Sequence, residues 1–174
     1  TRPELLLSFD FDGTLVHKDR KPGFDPELGE ILRQLRAQGA AWVINTGRSL
    51  SHAMAGLADH LIPLEPDFII AREHEIHQRT APGRWGDFGG WNRHCEQTHR
   101  VFFARHASFL AEIRAFVESR RLGWWIEDAD DPAGVITHRD EDMAEVVAFI
   151  DGRRSTRPDF GYQRNTVYLR FTAA

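Results

Sequence analysis

Short apolar runs alternate with helix-spaced apolar positions along the first half of this chain. Leu5-Leu6-Leu7-Ser8-Phe9 is an apolar run closed by acidic residues and glycine. That pattern predicts a strand buried on both faces, as in a parallel sheet. Asp25-Pro26 then supplies an N-cap followed by proline at the first helical position, and Leu28, Ile31, Leu32 and Leu35 recur at helical spacing until Gly39. Ala41-Trp42-Val43-Ile44 predicts a second buried strand, stopped by Asn45-Thr46-Gly47-Arg48. Ser49 caps a second helix with Leu50, Ala53, Met54 and Leu57 on one face, Pro63 and Pro66 punctuate the next loop, and Phe68-Ile69-Ile70 is a third strand. Strand, helix, strand, helix, strand with short links is the order of a doubly wound α/β sheet.

The pattern changes near residue 80. The stretch TAPGRWGDFGGW, rich in glycine and tryptophan, predicts a hairpin tip and a connector. Phe102, Phe109, Leu110, Ile113, Phe116 and Val117 mark a long amphipathic helix expected to close at Gly123. Trp124-Trp125-Ile126 and Val135-Ile136-Thr137 predict strands on either side of the acidic loop Asp128-Ala129-Asp130-Asp131. Asp140 is placed to cap another helix, with Met143, Val146, Val147 and Ile150 inward, and a last hairpin is expected from Phe160–Gln163 and Val167–Phe171 around Arg164-Asn165. The element order gives two domains: residues 1–87, an α/β unit, and residues 88–174, an α+β unit.

Composition changes this picture little. The 174 residues carry a formal charge of −4 and no basic stripe, which argues against a nucleic-acid partner. No apolar run approaches the roughly 20 residues needed to span a bilayer, and Leu5-Leu6-Leu7 is too short for a signal-peptide core. The single cysteine, Cys95, excludes an internal disulfide and fits a cytoplasmic setting.

Chemistry concentrates at Asp10-Phe11-Asp12-Gly13-Thr14. Strand alternation would point Asp10 and Asp12 to one side. Paired carboxylates at a strand's carboxyl end can divide nucleophilic and proton-transfer work. Gly13 permits a tight turn, Thr14 adds a hydroxyl beside exposed amides suited to a phosphate, and open α/β sheets place ligands at the carboxyl ends of their strands.

The run Asp-x-Asp-Gly-Thr resembles the first motif of the haloacid dehalogenase superfamily. With each fixed identity at about one in twenty, chance would produce it in roughly one chain in a thousand of this length. Thr46-Gly47-Arg48 ends the second strand, where that family places a phosphate-binding Thr or Ser. The resemblance implies two-step phosphoryl transfer. Asp10 attacks phosphorus to form an aspartyl-phosphate, and Asp12 protonates the leaving oxygen and then activates water. Mg²⁺ is held by the Asp10 carboxylate and the Asp12 carbonyl, and Gly13, Thr14, Thr46, Gly47 and Arg48 form the phosphate site. The Thr-Gly-Arg form and a domain inserted after the third strand are most similar to the branch with large α/β caps, which includes sucrose-phosphate and trehalose-phosphate phosphatases and the Cof-like sugar phosphatases. The substrate implied is a small sugar phosphate or related metabolite, chosen by a cap that excludes water. A phosphomutase of the same superfamily and a non-catalytic phosphate-binding domain stand as alternatives.

The family's later Lys and second acidic pair have no counterpart. Lys18 and Lys21 lie just after the first motif, and Asp128, Asp130 and Asp131 precede a strand. The expectation is therefore a fragment, with an uncovered apolar sheet edge and little phosphatase activity by itself. His74-Glu75-Ile76-His77 resembles a zinc motif but is one residue short, and reads as hairpin surface. His94, Cys95, His99 and His106 read as helix surface with a partly buried thiol, and Trp85, Trp91, Trp124 and Trp125 as core or hinge fillers. Arg139 and Arg164 read as exposed arginines.

Overall fold

In the computed structural model, which describes residues 3–128 and 131–173, the first apolar run forms β1 (Leu6–Asp10). It pairs in parallel with β2 (Ala41–Asn45), and β2 pairs in parallel with β3 (Phe68–Ala71). The links between them are α1 (Pro26–Ala37) and α2 (Leu50–Asp59). Both helices start as their sequences dictate. The Asp25 carboxylate accepts the Glu27 amide at 2.9 Å with Pro26 in the first turn, and the Ser49 hydroxyl accepts the His52 amide at 3.3 Å. Gly39, at φ +93°, takes the left-handed backbone that turns the chain from α1 into β2.

The sheet is larger than the three strands expected. β4 (Glu75–Ala81) and β5 (Arg84–Asp87) form an antiparallel hairpin on the far side of β3, giving the order β1-β2-β3-β4-β5. β2 is interior, and Trp42, Val43 and Ile44 are all buried. β1 is an edge, and the expectation that it is buried on both faces is corrected: Leu6 is 58% and Leu5 45% exposed. Among the described residues no strand pairs with the outer side of β1. Ile31 on α1 also points outward, leaving Leu32 as the one fully buried member of its helical stripe.

The chain divides into two units, Thr1–Cys95 and Glu96–Ala174. The core of the first is built from Phe11, Leu15, Val16, Phe24, Leu32, Trp42, Ile44, Ala53, Leu57, Ile69 and Ala71. α3 (Trp91–Arg120) begins at the end of that unit and runs on into the second. It closes at Arg121, whose φ of +56° breaks the helix, and not at Gly123, which opens β6 (Gly123–Asp128). A Cβ on Gly123 would collide with the Ile136 carbonyl oxygen, so this glycine permits a close strand approach.

The second unit continues with β7 (Asp131–Thr137), α4 (Asp140–Asp151), a short 3₁₀ turn at Arg154–Thr156, β8 (Phe160–Arg164) and β9 (Tyr168–Ala173). All pairings are antiparallel, in the order β6-β7-β9-β8. Ala129 and Asp130 of the acidic loop lie outside the described residues. Asp140 does not cap α4. Arg139 occupies that position with extended backbone and makes no capping bond, while its guanidinium forks the Asp142 carboxylate at 3.1 and 2.9 Å. Phe102, Phe109, Ile113, Val135, Met143, Val146, Ile150, Phe160, Leu169 and Phe171 supply most of this unit's core. Among the described residues no helix is long and apolar enough to cross a membrane.

Candidate active site

β1 stops at Asp10, in register with Asn45 of β2. Asp12 is carried by a turn beyond the strand, so strand alternation does not set its direction. Phe11 between them is fully buried and anchors the turn in the core. The turn closes through Leu15 N–H to Asp10 C=O (3.0 Å), Val16 N–H to Phe11 C=O (3.1 Å) and Gly13 N–H to Val16 C=O (2.9 Å). Gly13 sits at φ +83°, a backbone that an L side chain adopts only with strain. The residues that follow form a small flap. A bridge joins Val16 to Phe24, and the buried Gly23 amide donates to His60 Nδ1 at 2.9 Å, at the end of α2.

The Asp10 carboxylate is exposed at the strand end and accepts the Thr14 hydroxyl at 3.2 Å through Oδ2. Thr46 is buried, with its Oγ1 accepting the Arg48 amide at 3.2 Å, so its own proton remains available to a ligand. The amides of Asp12 and Gly47 have no hydrogen-bond partner among the described residues, whereas the Gly13 amide is already bonded to Val16. Gly13 therefore contributes its conformation and not its N–H.

Arg48 is the best-fixed cation of this group. Its Nε and Nη2 fork the two Asp12 carboxylate oxygens at 2.8 and 2.7 Å. Its guanidinium carbon lies 4.7 Å from the centre of the Phe11 ring. The Asp12 and Arg48 side chains are 42% and 34% exposed, so the ion pair contributes only about 0–1 kcal/mol to stability. Two-point geometry is its main consequence.

Sequence reasoning set Lys18 aside, yet the structure brings it to the motif turn. A Cβ on Gly13 would stand 2.9 Å from Lys18 Cε and 3.6 Å from its Nζ. Lys21 pairs instead with Asp59 at 2.6 Å. The other residue missed is Glu73. Arg72 and Glu73 are consecutive non-glycine residues at φ +49° and +65°, in a turn tied to the Thr46 loop. The ties are Glu73 N–H to Thr46 C=O at 3.1 Å and Arg72 N–H to Arg48 C=O at 2.9 Å. No sequence signal marks this turn, because neither residue type favours the left-handed region.

Among the described residues no group of three or more His, Cys, Asp or Glu side chains is arranged to hold an ion, and in the zinc-like segment the side chains pair with one another and with Arg72. Glu75 lies between Arg72 at 2.7 Å and His77 at 3.3 Å. Burial alone would raise its pKa, but the His77 and Arg72 hydrogen bonds and the Arg72 charge outweigh it and lower it to about 2. Trp91 donates from Nε1 to the His74 carbonyl at 2.6 Å, and Trp85 packs against the first core. Trp124 is 59% exposed, and His106 is buried against Phe102 and Phe160 and so is not on the helix surface. Arg139 is engaged by Asp142.

Residues 7–65 match the model of the haloacid dehalogenase-like hydrolase family. Asp10, Asp12, Thr46, Gly47 and Arg48 all fall within that stretch. Among the curated proteins, none matches the chain by sequence. Solved structures do. The sucrose-phosphatase of Synechocystis, in complex with sucrose and phosphate, aligns over 99% of this chain with a TM-score of 0.63 and 14% identity. A haloacid dehalogenase-like hydrolase from Bacteroides thetaiotaomicron aligns over 97% of this chain and 71% of its own (TM-score 0.60, 13% identity). The C-terminal domain of trehalose-6-phosphate phosphatase from C. albicans aligns over 95% and 56% (TM-score 0.56, 13% identity). At such identities the likeness shows the fold alone, an α/β unit followed by an α+β unit. The chain spans 65% of the length of the sucrose-phosphatase.

Proposed function

We propose that this chain carries the nucleophile half of a Mg²⁺-dependent phosphomonoesterase site for a small sugar phosphate or related metabolite. One observation carries the reading. Asp10 stands exposed at the end of β1, beside a buried Thr46 whose proton is available and the unpartnered amides of Asp12 and Gly47. Those donors suit a phosphoryl group, and Asp10 supplies an oxygen to attack it. The sucrose- and trehalose-phosphate phosphatases that share the fold support a sugar phosphate as substrate.

The donor set fits magnesium. The Asp10 carboxylate and the Asp12 carbonyl are hard oxygen ligands, and Mg²⁺ accepts a few protein oxygens while keeping several waters. When bound, it would offset phosphoryl charge. Asp10 then attacks phosphorus, forming an aspartyl-phosphate while the bond to the ester oxygen breaks. Asp12 delivers a proton to that departing oxygen and later takes one from the water that attacks the aspartyl-phosphate. Thr46 Oγ1 donates to a phosphoryl oxygen, and Thr14 orients Asp10 through its 3.2 Å hydrogen bond. Residues 88–174, as the cap domain, choose the substrate.

The test is a screen of sugar phosphates for Mg²⁺-dependent phosphate release, with this chain and with any longer protein containing it, each beside its Asp10→Asn variant. Release that depends on Asp10 is expected from a longer protein that also supplies a Lys and a second acidic pair, and little release from this chain by itself. Unchanged release in the variant removes Asp10 as nucleophile. Phosphoryl transfer to a sugar hydroxyl instead of water makes the protein a phosphomutase, and phosphate binding without turnover makes it a non-catalytic phosphate-binding domain.

A further inference from the structure

The Thr-Gly-Arg segment invites a phosphate-binding role for Arg48, but the geometry points elsewhere. Two of its nitrogens are already aligned on Asp12 in a fork, at 2.8 and 2.7 Å. A third, Nη1, faces α2, 3.4 Å from the His52 carbonyl oxygen. One face of the guanidinium rests over the Phe11 ring at 4.7 Å. α2 is shaped to admit this arrangement. At Gly56 a Cβ would stand 2.7 Å from Phe11 Cζ and 2.9 Å from Arg48 Nη1, closer than real Cβ contacts come. The glycine thus opens a slot in which the ring and the guanidinium lie together against the helix.

We infer that Arg48 is a positioning residue for Asp12 and not a phosphate ligand, and that Gly56 provides its slot. The inference rests on the phosphatase reading for its catalytic meaning, but its geometry stands without it. Each Asp12 oxygen accepts one N–H from Arg48 and keeps a further lone pair for a substrate oxygen or water. A fork fixes the rotation of the carboxylate as a single contact cannot, and Lys, a point charge on a flexible stem, would not replace it.

Two measurements test this on the full chain. The first is an arginine side-chain NMR spectrum, in which the Arg48 Nε–H is expected to be exchange-protected. Asp12→Asn and Gly56→Ala should each abolish that protection. A signal unprotected in the wild type, or equally protected in both variants, overturns the inference whether or not the chain turns anything over. The second is leaving-group dependence. Alkyl phosphates need a proton on the departing oxygen, whereas the p-nitrophenolate of p-nitrophenyl phosphate leaves without one. Arg48→Gln should therefore lose about tenfold more kcat/KM on glycerol phosphate than on p-nitrophenyl phosphate, and Arg48→Lys should fail to restore the difference. Equal losses on both esters, with weaker binding of inorganic phosphate, make Arg48 a phosphate ligand and overturn the inference. If neither ester is hydrolysed and inorganic phosphate does not bind, the phosphatase reading fails, and the NMR result alone decides the placement of Arg48.

Discussion

β1 and β2 are paired residue for residue, Leu6 with Ala41 through Asp10 with Asn45, and both are short apolar strands. Their fates differ. Trp42, Val43 and Ile44 have almost no exposed surface, whereas Leu6 is 58% exposed at the sheet edge. Their last residues differ too, since the exposed strand ends in the acid proposed as nucleophile and the buried one in Asn45. Burial in this unit follows a strand's place in the sheet, and the candidate chemistry sits at the end of the strand that the described structure leaves open.

The largest test of this contrast exchanges the strand ends. Asp10→Asn should reduce phosphate release by roughly a thousandfold or more, and Asn45→Ala by no more than about threefold. Comparable losses at both positions would put the chemistry on the loops in general and not on Asp10. Within the strands, Trp42→Ala should cost about 3–5 kcal/mol in urea unfolding, because the indole is fully buried and packs edge-on against Phe9 at 6.3 Å. A cost below about 1 kcal/mol would mean that β2 is not the interior strand.

An intermediate effect comes from Glu75, opposite Ala71 at the end of β3. Its carboxyl is lowered from 4.5 to about 2, so its contribution to stability is complete above pH 4.5 and is lost as pH falls toward 2. Glu75→Gln should cost on the order of 1 kcal/mol at neutral pH and flatten the acid limb of the stability profile in that window. An acid limb identical to the wild type would show that Glu75 is not held by Arg72 and His77. The smallest effect is expected at the open edge. Leu6→Thr should change unfolding free energy by no more than about 0.5 kcal/mol, and a loss near 2 kcal/mol would show that the edge is covered in solution.

Much of the fold was legible because local rules were obeyed. Asp25-Pro26 and Ser49 cap the helices where expected, and the apolar runs at residues 41–44 and 68–70 became strands with the predicted order. The misreadings have physical causes. Gly123 looked like a helix stop, but Arg121 took the left-handed backbone two residues earlier, leaving the glycine for a close strand contact. Asp140 looked like a cap, but Arg139 stood in its place and bound Asp142 instead. β4 and β5 were foreshadowed only by a hairpin tip, because strands with mixed polar and aromatic residues give no run to count.

At the site, Asp-x-Asp-Gly-Thr and Thr-Gly-Arg were legible as motifs, and their resemblance to the haloacid dehalogenase pattern is what pointed to the phosphoryl-transfer chemistry proposed above. Tertiary structure decided how they are deployed. It forked Asp12 with Arg48, used the Gly13 amide within its own turn, leaned Lys18 over the motif and drew the Glu73 turn against Thr46. Sequence fixes which groups are available and local backbone preference. Which group faces which depends on contacts between residues distant along the chain, here 36 positions apart for Arg48 and Asp12, and no local pattern encodes that distance.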